Sequence, residues 1–311
     1  MAIRGAGGAG PGGRWRAAAL AGLVATGLGG CADRPRGDAG VEIDWRGEAL
    51  EDLSGVAAVG RFLVVCNDEA RHSAHVLEAR GGGYAYHGAV RLTAGGRELD
   101  LEGVAADGAV VYVVGSHGRD ADGDPAPARE QLFRFELGGD GGLKGEVAAT
   151  SLRGAVARFP VLEAAGPRKP KAGGLDVEGI AARDGWLYAG LRGPLGPGGE
   201  ARVLKFQFED PTATAELLAV GFGGLGVRDL ARVADGLLVV AGPSGDAAGP
   251  FRLYYWDGGA GAARLLCGIP TSAGARAEGL AVLEEDAGGY DLLVLYDGPR
   301  GGEPTRLRVP R

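Results

Sequence analysis

Glu102-Gly103-Val104-Ala105 returns along this chain as Glu178-Gly179-Ile180-Ala181 and as Glu278-Gly279-Leu280-Ala281, and each copy opens a segment with strand-like alternation. Ser54-Gly55-Val56-Ala57 and Arg228-Asp229-Leu230-Ala231 are degenerate copies that fill the gaps. Short strands that recur at a period of roughly 40 to 50 residues are typical of β-propeller blades. The repeat therefore predicts an all-β propeller of five blades, with six as the alternative if an irregular segment hides one.

Each repeat predicts a four-stranded antiparallel meander. The predicted strands are 101–105, 110–115, 131–137 and 147–152 in the second repeat, 177–181, 186–191, 202–209 and 215–220 in the third, and 227–233, 237–241, 251–256 and 263–267 in the fourth. The fifth repeat has only three, over 279–283, 292–296 and 305–309. Residues 41–45 precede the first repeat, and we expect them to supply the missing outer strand and so close the last blade.

Two segments do not fit the repeat. Residues 151–174 lengthen the second spacing, and Val156, Phe159 and Leu162 are spaced as on a helix, although Pro160 interrupts it. We interpret this segment as a helical insertion that caps one face of the propeller. Residues 118–130 are polar and predict a long loop beside the same opening.

The N-terminus is predicted to be a lipoprotein signal peptide over residues 1–30. Three arginines precede an apolar run at 17–27 that is too short to cross a bilayer as a permanent helix. Leu28-Gly29-Gly30-Cys31 then resembles the lipobox of bacterial lipoproteins, in which the cysteine is lipidated. Residues 31–39 would be the lipidated Cys31 and its tether, and residues 40–311 the propeller; an ordinary cleaved signal peptide is the alternative.

These signals predict an exported protein that a lipid holds to the cell envelope. By analogy with lipoprotein sorting, Ala32 gives no inner-membrane retention signal, which favours the periplasmic face of the outer membrane in a Gram-negative cell. Without residues 1–30 the chain has 30 basic and 40 acidic side chains, a formal charge of -10. Such an acidic chain argues against nucleic acid as a partner and leaves the lipid as the membrane contact.

The candidate site lies at one end of the predicted channel. In an antiparallel meander, the start of strand one and the end of strand two lie at the same end of a blade. Five acids at the starts of first strands should therefore ring the channel mouth: Asp100, Glu102, Asp176, Glu178 and Glu278. The same face should carry Ser116, His117, Arg192, Arg228 and Ser244.

Two interpretations of the acidic ring compete. Clustered carboxylates repel one another and can recruit a hard cation, Ca²⁺ or Mg²⁺. Alternatively, each acid binds backbone amides or an arginine of the next blade and cements the ring. Ser54 and Arg228 break the pattern, and this asymmetry favours different roles around the ring. The Gly221–Gly226 run matches a dinucleotide-binding pattern but lacks a βαβ context, so we expect no nucleotide cofactor.

Six further segments carry a resemblance to a known family: Leu101-Glu102-Gly103, Gly115-Ser116-His117-Gly118, Gly174-Leu175-Asp176-Val177-Glu178-Gly179, Gly190-Leu191-Arg192-Gly193-Pro194, Arg228-Asp229-Leu230 and Ala241-Gly242-Pro243-Ser244. Together they resemble the bacterial family catalogued as domain of unknown function 3616, over most of the chain after the signal peptide. The Asp176-Val177-Glu178-Gly179 phrase is in addition distantly similar to that of esterase-like phytase propellers, whose name implies phosphoester chemistry. The closer family brings no established activity.

Three functions follow as hypotheses. The first is a lipid-anchored propeller that binds a small polar or anionic ligand at the channel mouth through Arg192, Arg228, His117, Ser116 and Ser244, with or without a divalent cation. The second is a metal-dependent phosphoesterase in which Asp100, Glu102, Asp176, Glu178 and Glu278 hold the metal and His117 is the acid or base. The third is a protein-interaction scaffold in which the acidic ring is only structural.

Overall fold

The computed structural model describes residues 1–2, 41–47 and 50–311. Apart from residues 1–2, the predicted signal peptide, Cys31 and the tether fall outside the described residues. Among the described residues, no helix is long and apolar enough to cross a membrane.

The repeats fold as the predicted five-bladed β-propeller. Blade 1 holds β1 (Ile43–Asp44), β2 (Leu53–Val59), β3 (Phe62–Asn67), β4 (Ser73–Arg80) and β5 (Gly83–Arg91). Blade 2 holds β6 (Leu101–Asp107), β7 (Val110–Gly115), β8 (Leu132–Leu137) and β9 (Leu143–Thr150). Blade 3 holds β10 (Asp176–Arg183), β11 (Trp186–Gly193), β12 (Ala201–Phe206) and β13 (Glu216–Gly221).

The last two blades complete the ring. Blade 4 holds β14 (Gly226–Val233), β15 (Gly236–Gly242), β16 (Phe251–Trp256) and β18 (Arg264–Ile269), and its short β17 (Gly261–Ala262) pairs with β13 of blade 3. Blade 5 holds β19 (Arg276–Asp286), β20 (Gly289–Asp297) and β21 (Thr305–Pro310). The meanders are antiparallel throughout, as the alternation of apolar residues predicts.

The prediction for the N-terminal strand is wrong in one respect. β1 does not join blade 5; it pairs in parallel with β5, the outer strand of blade 1, with Ile43 opposite Tyr84. Blade 5 therefore keeps three strands. Val41, Ile43 and Trp45 nevertheless pack against a core cluster that contains residues of both blades 1 and 5. The segment thus seals the junction of the two chain ends by apolar packing, while blade 1 provides its hydrogen bonds.

The propeller core lies between neighbouring blades, where apolar side chains of adjacent sheets interdigitate. The first strands of the five blades, β2, β6, β10, β14 and β19, surround the axis. Mostly apolar side chains, among them Val56, Val104 and Leu280, line a cavity of about 140 Å³ between them. The part of the channel that this cavity occupies is therefore lined mostly by apolar residues.

The two insertions lie together, as expected. Residues 151–174 form two short helices, α1 (Arg153–Ala157) and α2 (Pro160–Glu163), and Pro160 starts the second helix instead of lying inside one. The guanidinium of Arg119 donates to the carbonyl of Gly166 at 2.9 Å, which joins the 118–130 loop to this insertion. Elsewhere in the described residues, the helices are α3 (Pro211–Thr214) and 3₁₀ turns at Pro127–Arg129, Pro170–Ala172 and Arg300–Gly302.

Candidate functional site

The repeated phrase forms a β-bulge in every blade: the register breaks at one residue in blades 2 to 5 and across Ser54 and Gly55 in blade 1. In blade 3, Val177 pairs with Leu191 and Gly179 with Gly190, so the residue between them, Glu178, has no partner in the ladder. A bulge releases one residue from the ladder and redirects its side chain. The equivalent bulges carry Ser54, Glu102, Glu178, Arg228 and Glu278. We call these five residues the bulge ring.

The glycine of the phrase allows neighbouring blades to approach closely at the bulge. A Cβ on Gly179 would lie 2.5 Å from the Cα of Asp229 in blade 4, and a Cβ on Gly55 would lie 2.7 Å from the backbone nitrogen of Val104 in blade 2. Blade 4 has Asp229 at this position. Its carboxylate accepts hydrogen bonds from the backbone N–H of Leu230 at 2.8 Å and of Leu280, in blade 5, at 2.7 Å. Asp229 is therefore a structural link between two blades.

Arg228 binds the acids of both neighbouring blades. It is 2% exposed, its Nε lies 3.5 Å from Oε2 of Glu178, and its Nη2 contacts the carboxylate of Glu278. Arg192, at the end of β11, reaches Asp176 at 2.5 Å and Glu178 at 2.9 Å. For Glu178 and Glu278, the structure agrees with the second interpretation of the acidic ring. Both carboxylates contact Arg228, which lies in the blade between them, and Glu178 also contacts Arg192.

The charges of this network do not balance when every group is ionised, because three carboxyls meet two guanidiniums. Burial, and then the nearby charge of Glu178, raises the pKa of Asp176 to about 8. With Asp176 protonated, the carboxylates of Glu178 and Glu278 match the guanidiniums of Arg192 and Arg228. The arginine side of the mouth is then neutral at pH 7.

Glu102 differs from the other acids of the bulge ring. Within the described part of the chain, no Lys, Arg or His nitrogen lies within 4 Å of its carboxylate, and no hydrogen bond reaches it. Burial raises its pKa well above the ordinary value, and Glu178, Asp100, Asp176 and Asp68 raise it further. Part of the residue is nevertheless exposed. Glu102 is an acid that the fold leaves without a counter-charge.

Asp100 is held by groups from its own blade. Ser116 donates a short hydrogen bond to its Oδ2, and Arg129 approaches the same oxygen at 2.8 Å. The contact of Asp100 with Ser116 confirms that the start of strand one and the end of strand two share a face. Sequence reasoning missed Arg129, which lies in the 118–130 loop where no repeat marks it.

Asp68 is a second residue that was not among the predicted site residues. It follows β3, at the position that Ser116 and Arg192 occupy in their own blades. Burial and then the charges of Asp52, Asp100 and Asp297 raise its pKa to about 7. Its Oδ1 is buried without a hydrogen bond in the described structure. Its position after strand two places it on the same face as the predicted site residues, although the site prediction did not include it.

His117 is buried and both of its ring nitrogens are used. Nδ1 donates to the carbonyl of Gly115 at 2.8 Å, and Nε2 accepts from the backbone N–H of Leu152 at 3.1 Å. Burial lowers its pKa to about 4, so the ring is neutral at pH 7. This histidine anchors the helical insertion to the mouth. Ser244 lies partly exposed after β15, on the same face.

The predicted metal ligands are distributed around this network. Asp100, Asp176, Glu178 and Glu278 each have an arginine partner, and only Glu102 lacks one. Among the described residues, no group of three or more His, Cys, Asp or Glu is placed to hold one metal ion. The divalent-cation site stays a prediction, with four of its five proposed acids paired to arginines.

Residues 167–308 match the family described as "Protein of unknown function (DUF3616)". The resemblance drawn from the sequence is confirmed over these residues. This DUF3616 segment includes Asp176, Glu178, Arg192, Arg228 and Glu278, whereas Asp100 and Glu102 precede it. No curated protein matches the chain.

The solved structures that resemble this chain are distant. One is hydrazine synthase of Kuenenia stuttgartiensis, 14% identical, which covers 83% of this chain and 66% of that chain with a TM-score of 0.39. Another is YCF48 bound to D1 peptide, 11% identical, covering 87% of this chain and 69% of that one with a TM-score of 0.39. The chain thus spans about two thirds of the length of these structures.

Proposed function

We propose that this propeller binds a small polar ligand that carries a positive charge, and that Glu102 at the channel mouth is its counter-charge. The observation that carries the proposal is that Glu102 is the one acid of the bulge ring with no cationic partner in the described chain. Without a partner, ionising this carboxyl is costly in a site that protein largely surrounds, and its pKa is raised accordingly. A bound cation would remove that cost.

The arginines favour a cationic over an anionic ligand at this mouth. Arg192 and Arg228 are ion-paired with Asp176, Glu178 and Glu278, which disfavours their use as a phosphate clamp. His117 has no free nitrogen for proton transfer. No observation at the mouth therefore favours the phosphoesterase hypothesis.

An organic ammonium group suits the site better than a bare metal ion. An ammonium needs one carboxylate and a few hydrogen-bond acceptors. Glu102 supplies the carboxylate, and Asp68 supplies an oxygen, Oδ1, that makes no hydrogen bond in the described structure. The negative charges of Glu178 and Asp100, which also raise the pKa of Glu102, add long-range attraction.

Calorimetric titration tests the proposal with putrescine, CaCl₂ and MgCl₂ as separate probes. We expect wild-type protein to bind putrescine, and Glu102→Gln to weaken that binding by about tenfold or more. Glu146→Gln is the matched control, because Glu146 is exposed on β9, the outermost strand of blade 2. The control should bind as the wild type does.

Three results would count against this function. Equal affinity in wild type and Glu102→Gln would remove Glu102 from the site. Binding of Ca²⁺ or Mg²⁺ without binding of putrescine would replace the organic cation with a metal. If none of the three probes binds, the mouth is a structural ring, as the scaffold hypothesis holds.

A further inference from the structure

The two insertions enclose a cavity that lies apart from the bulge ring. It measures about 280 Å³, twice the volume of the cavity in the channel. Its wall is apolar on the side of Val156, Ala157, Pro167 and Leu175. Pockets that combine an apolar wall with a few placed polar groups are the usual form of small-molecule sites.

Arg119 is the polar group that stands out in this cavity. Its Nε donates to the carbonyl of Gly166 at 2.9 Å and its Nη1 to the carbonyl of Gly123 at 3.0 Å. The guanidinium is thereby fixed between the two insertions. Its Nη2 makes no hydrogen bond, and no carboxylate of the described chain lies within 4 Å of it.

The other charges around the cavity leave Arg119 unopposed. Glu130 is held by Arg153 through two hydrogen bonds of 2.7 and 2.6 Å, so that pair is neutral. The insertion also carries an excess of positive charge in an acidic protein, since residues 153–171 contain five basic side chains against the single acid Glu163. Glu163 also lines the cavity but forms no ion pair with Arg119 in the described chain, so the guanidinium has no counter-ion within 4 Å beside the apolar wall.

We infer that this cavity binds a small organic carboxylate, with its anionic group on Nη2 of Arg119 and its apolar body against Val156, Ala157 and Leu175. A single free guanidinium nitrogen suits a monoanion better than a phosphate dianion, which calls for several donors. The cavity volume accommodates one aromatic ring or a short alkyl chain. This site and its ligand class differ from those at the channel mouth.

The test is calorimetric titration of the full-length protein with benzoate, and with octanoate as a second carboxylate. Benzamide, which has the shape of benzoate without the charge, should bind about tenfold more weakly. Inorganic phosphate tests whether charge alone is enough, and we expect it to bind more weakly than benzoate. Arg119→Gln should weaken benzoate binding to the level of benzamide.

Because Arg119 also links the two insertions, its replacement could disturb the shape of the cavity. A second variant therefore fills the cavity and leaves Arg119 unchanged. Ala157→Trp, from an exposed position on α1 that lines the cavity, should weaken benzoate binding by about tenfold or more. Ala164→Trp is the matched control, because Ala164 is exposed beside α2 and does not line the cavity. The control should bind benzoate as the wild type does.

The outcomes separate this inference from the proposed function. Glu102→Gln should leave benzoate affinity unchanged if the two sites are distinct. If neither benzoate nor octanoate binds the wild type at about 10 mM, the inference is wrong. It is equally wrong if benzamide binds as well as benzoate, or if Ala157→Trp binds benzoate with wild-type affinity.

Discussion

Gly179→Ala tests why the repeated phrase contains glycine. Gly179 does not have a positive φ, so its backbone conformation is open to alanine. The constraint is the neighbouring blade: the added Cβ would lie 2.5 Å from the Cα and 2.9 Å from the carbonyl carbon of Asp229, where ordinary contacts are 3.4 to 4 Å. Relief requires blades 3 and 4 to separate by about 1 Å at the bulge, in a densely packed interior.

We expect Gly179→Ala to lower the free energy of unfolding by about 3 kcal/mol, the upper part of the range for overpacked cores. Gly279→Ala should cost less, about 1 kcal/mol, because the nearest atoms are side-chain carbons of Leu295 and Val56 at 3.1 Å. Gly88→Ala, where nothing lies within 4 Å, should be neutral or stabilise by about 0.5 kcal/mol. Urea denaturation followed by tryptophan fluorescence measures all three.

The order of the three variants carries the test. If Gly179→Ala is as stable as Gly88→Ala, close approach between blades is not the reason for the glycine. If Gly279→Ala is the most destabilised, the distances do not govern the cost. Either result would refute the account of the phrase given above.

Three further predictions concern the link between blades, a buried histidine and the N-terminus. Asp229→Ala leaves the buried N–H groups of Leu230 and Leu280 without acceptors and should cost about 2 kcal/mol or more in urea denaturation; a change below about 0.5 kcal/mol would contradict its structural role. The pKa of His117 is lowered to about 4, so the unfolded chain takes up this proton first as pH falls; about 3 kcal/mol of stability should disappear between pH 7 and pH 4, and this part of the pH dependence should be absent in His117→Gln and present in His72→Gln. Mass spectrometry under non-reducing conditions should find Cys31 as a lipid-modified N-terminus, and a peptide containing Cys31 in a disulfide with another cysteine would disprove the lipid anchor.

Much of the architecture could be predicted because each blade solves the same packing problem. The recurrence of Gly55, Gly103, Gly179 and Gly279 indicated the blades, and their common bulge explains that recurrence. The shared face also followed from the alternation of strand direction. It is seen in the contact of Asp176 with Arg192, at the start of one strand and the end of the next.

The details of the site were less predictable, because they depend on residues without a repeat. Arg129 lies in an insertion, and no periodic pattern connects it to Asp100. β1 could pair with the sheet of blade 1 or with that of blade 5. The short segment at Ile43 contains no sequence pattern that selects one of them. The cavity at Arg119 is formed by two insertions that do not belong to the repeat and that meet only in the folded chain.

The sequence by itself determined the propeller, its five blades and the ring of acids at one end of the channel, because these follow from local alternation and a fixed period. Only the tertiary structure decided which acids are neutralised. Arg192 and Arg228 reach Asp176, Glu178 and Glu278, and Glu102 is left without a cationic partner among the described residues. The physical reason is that ion pairing depends on distances of a few ångströms between blades, and a repeat period does not specify these distances.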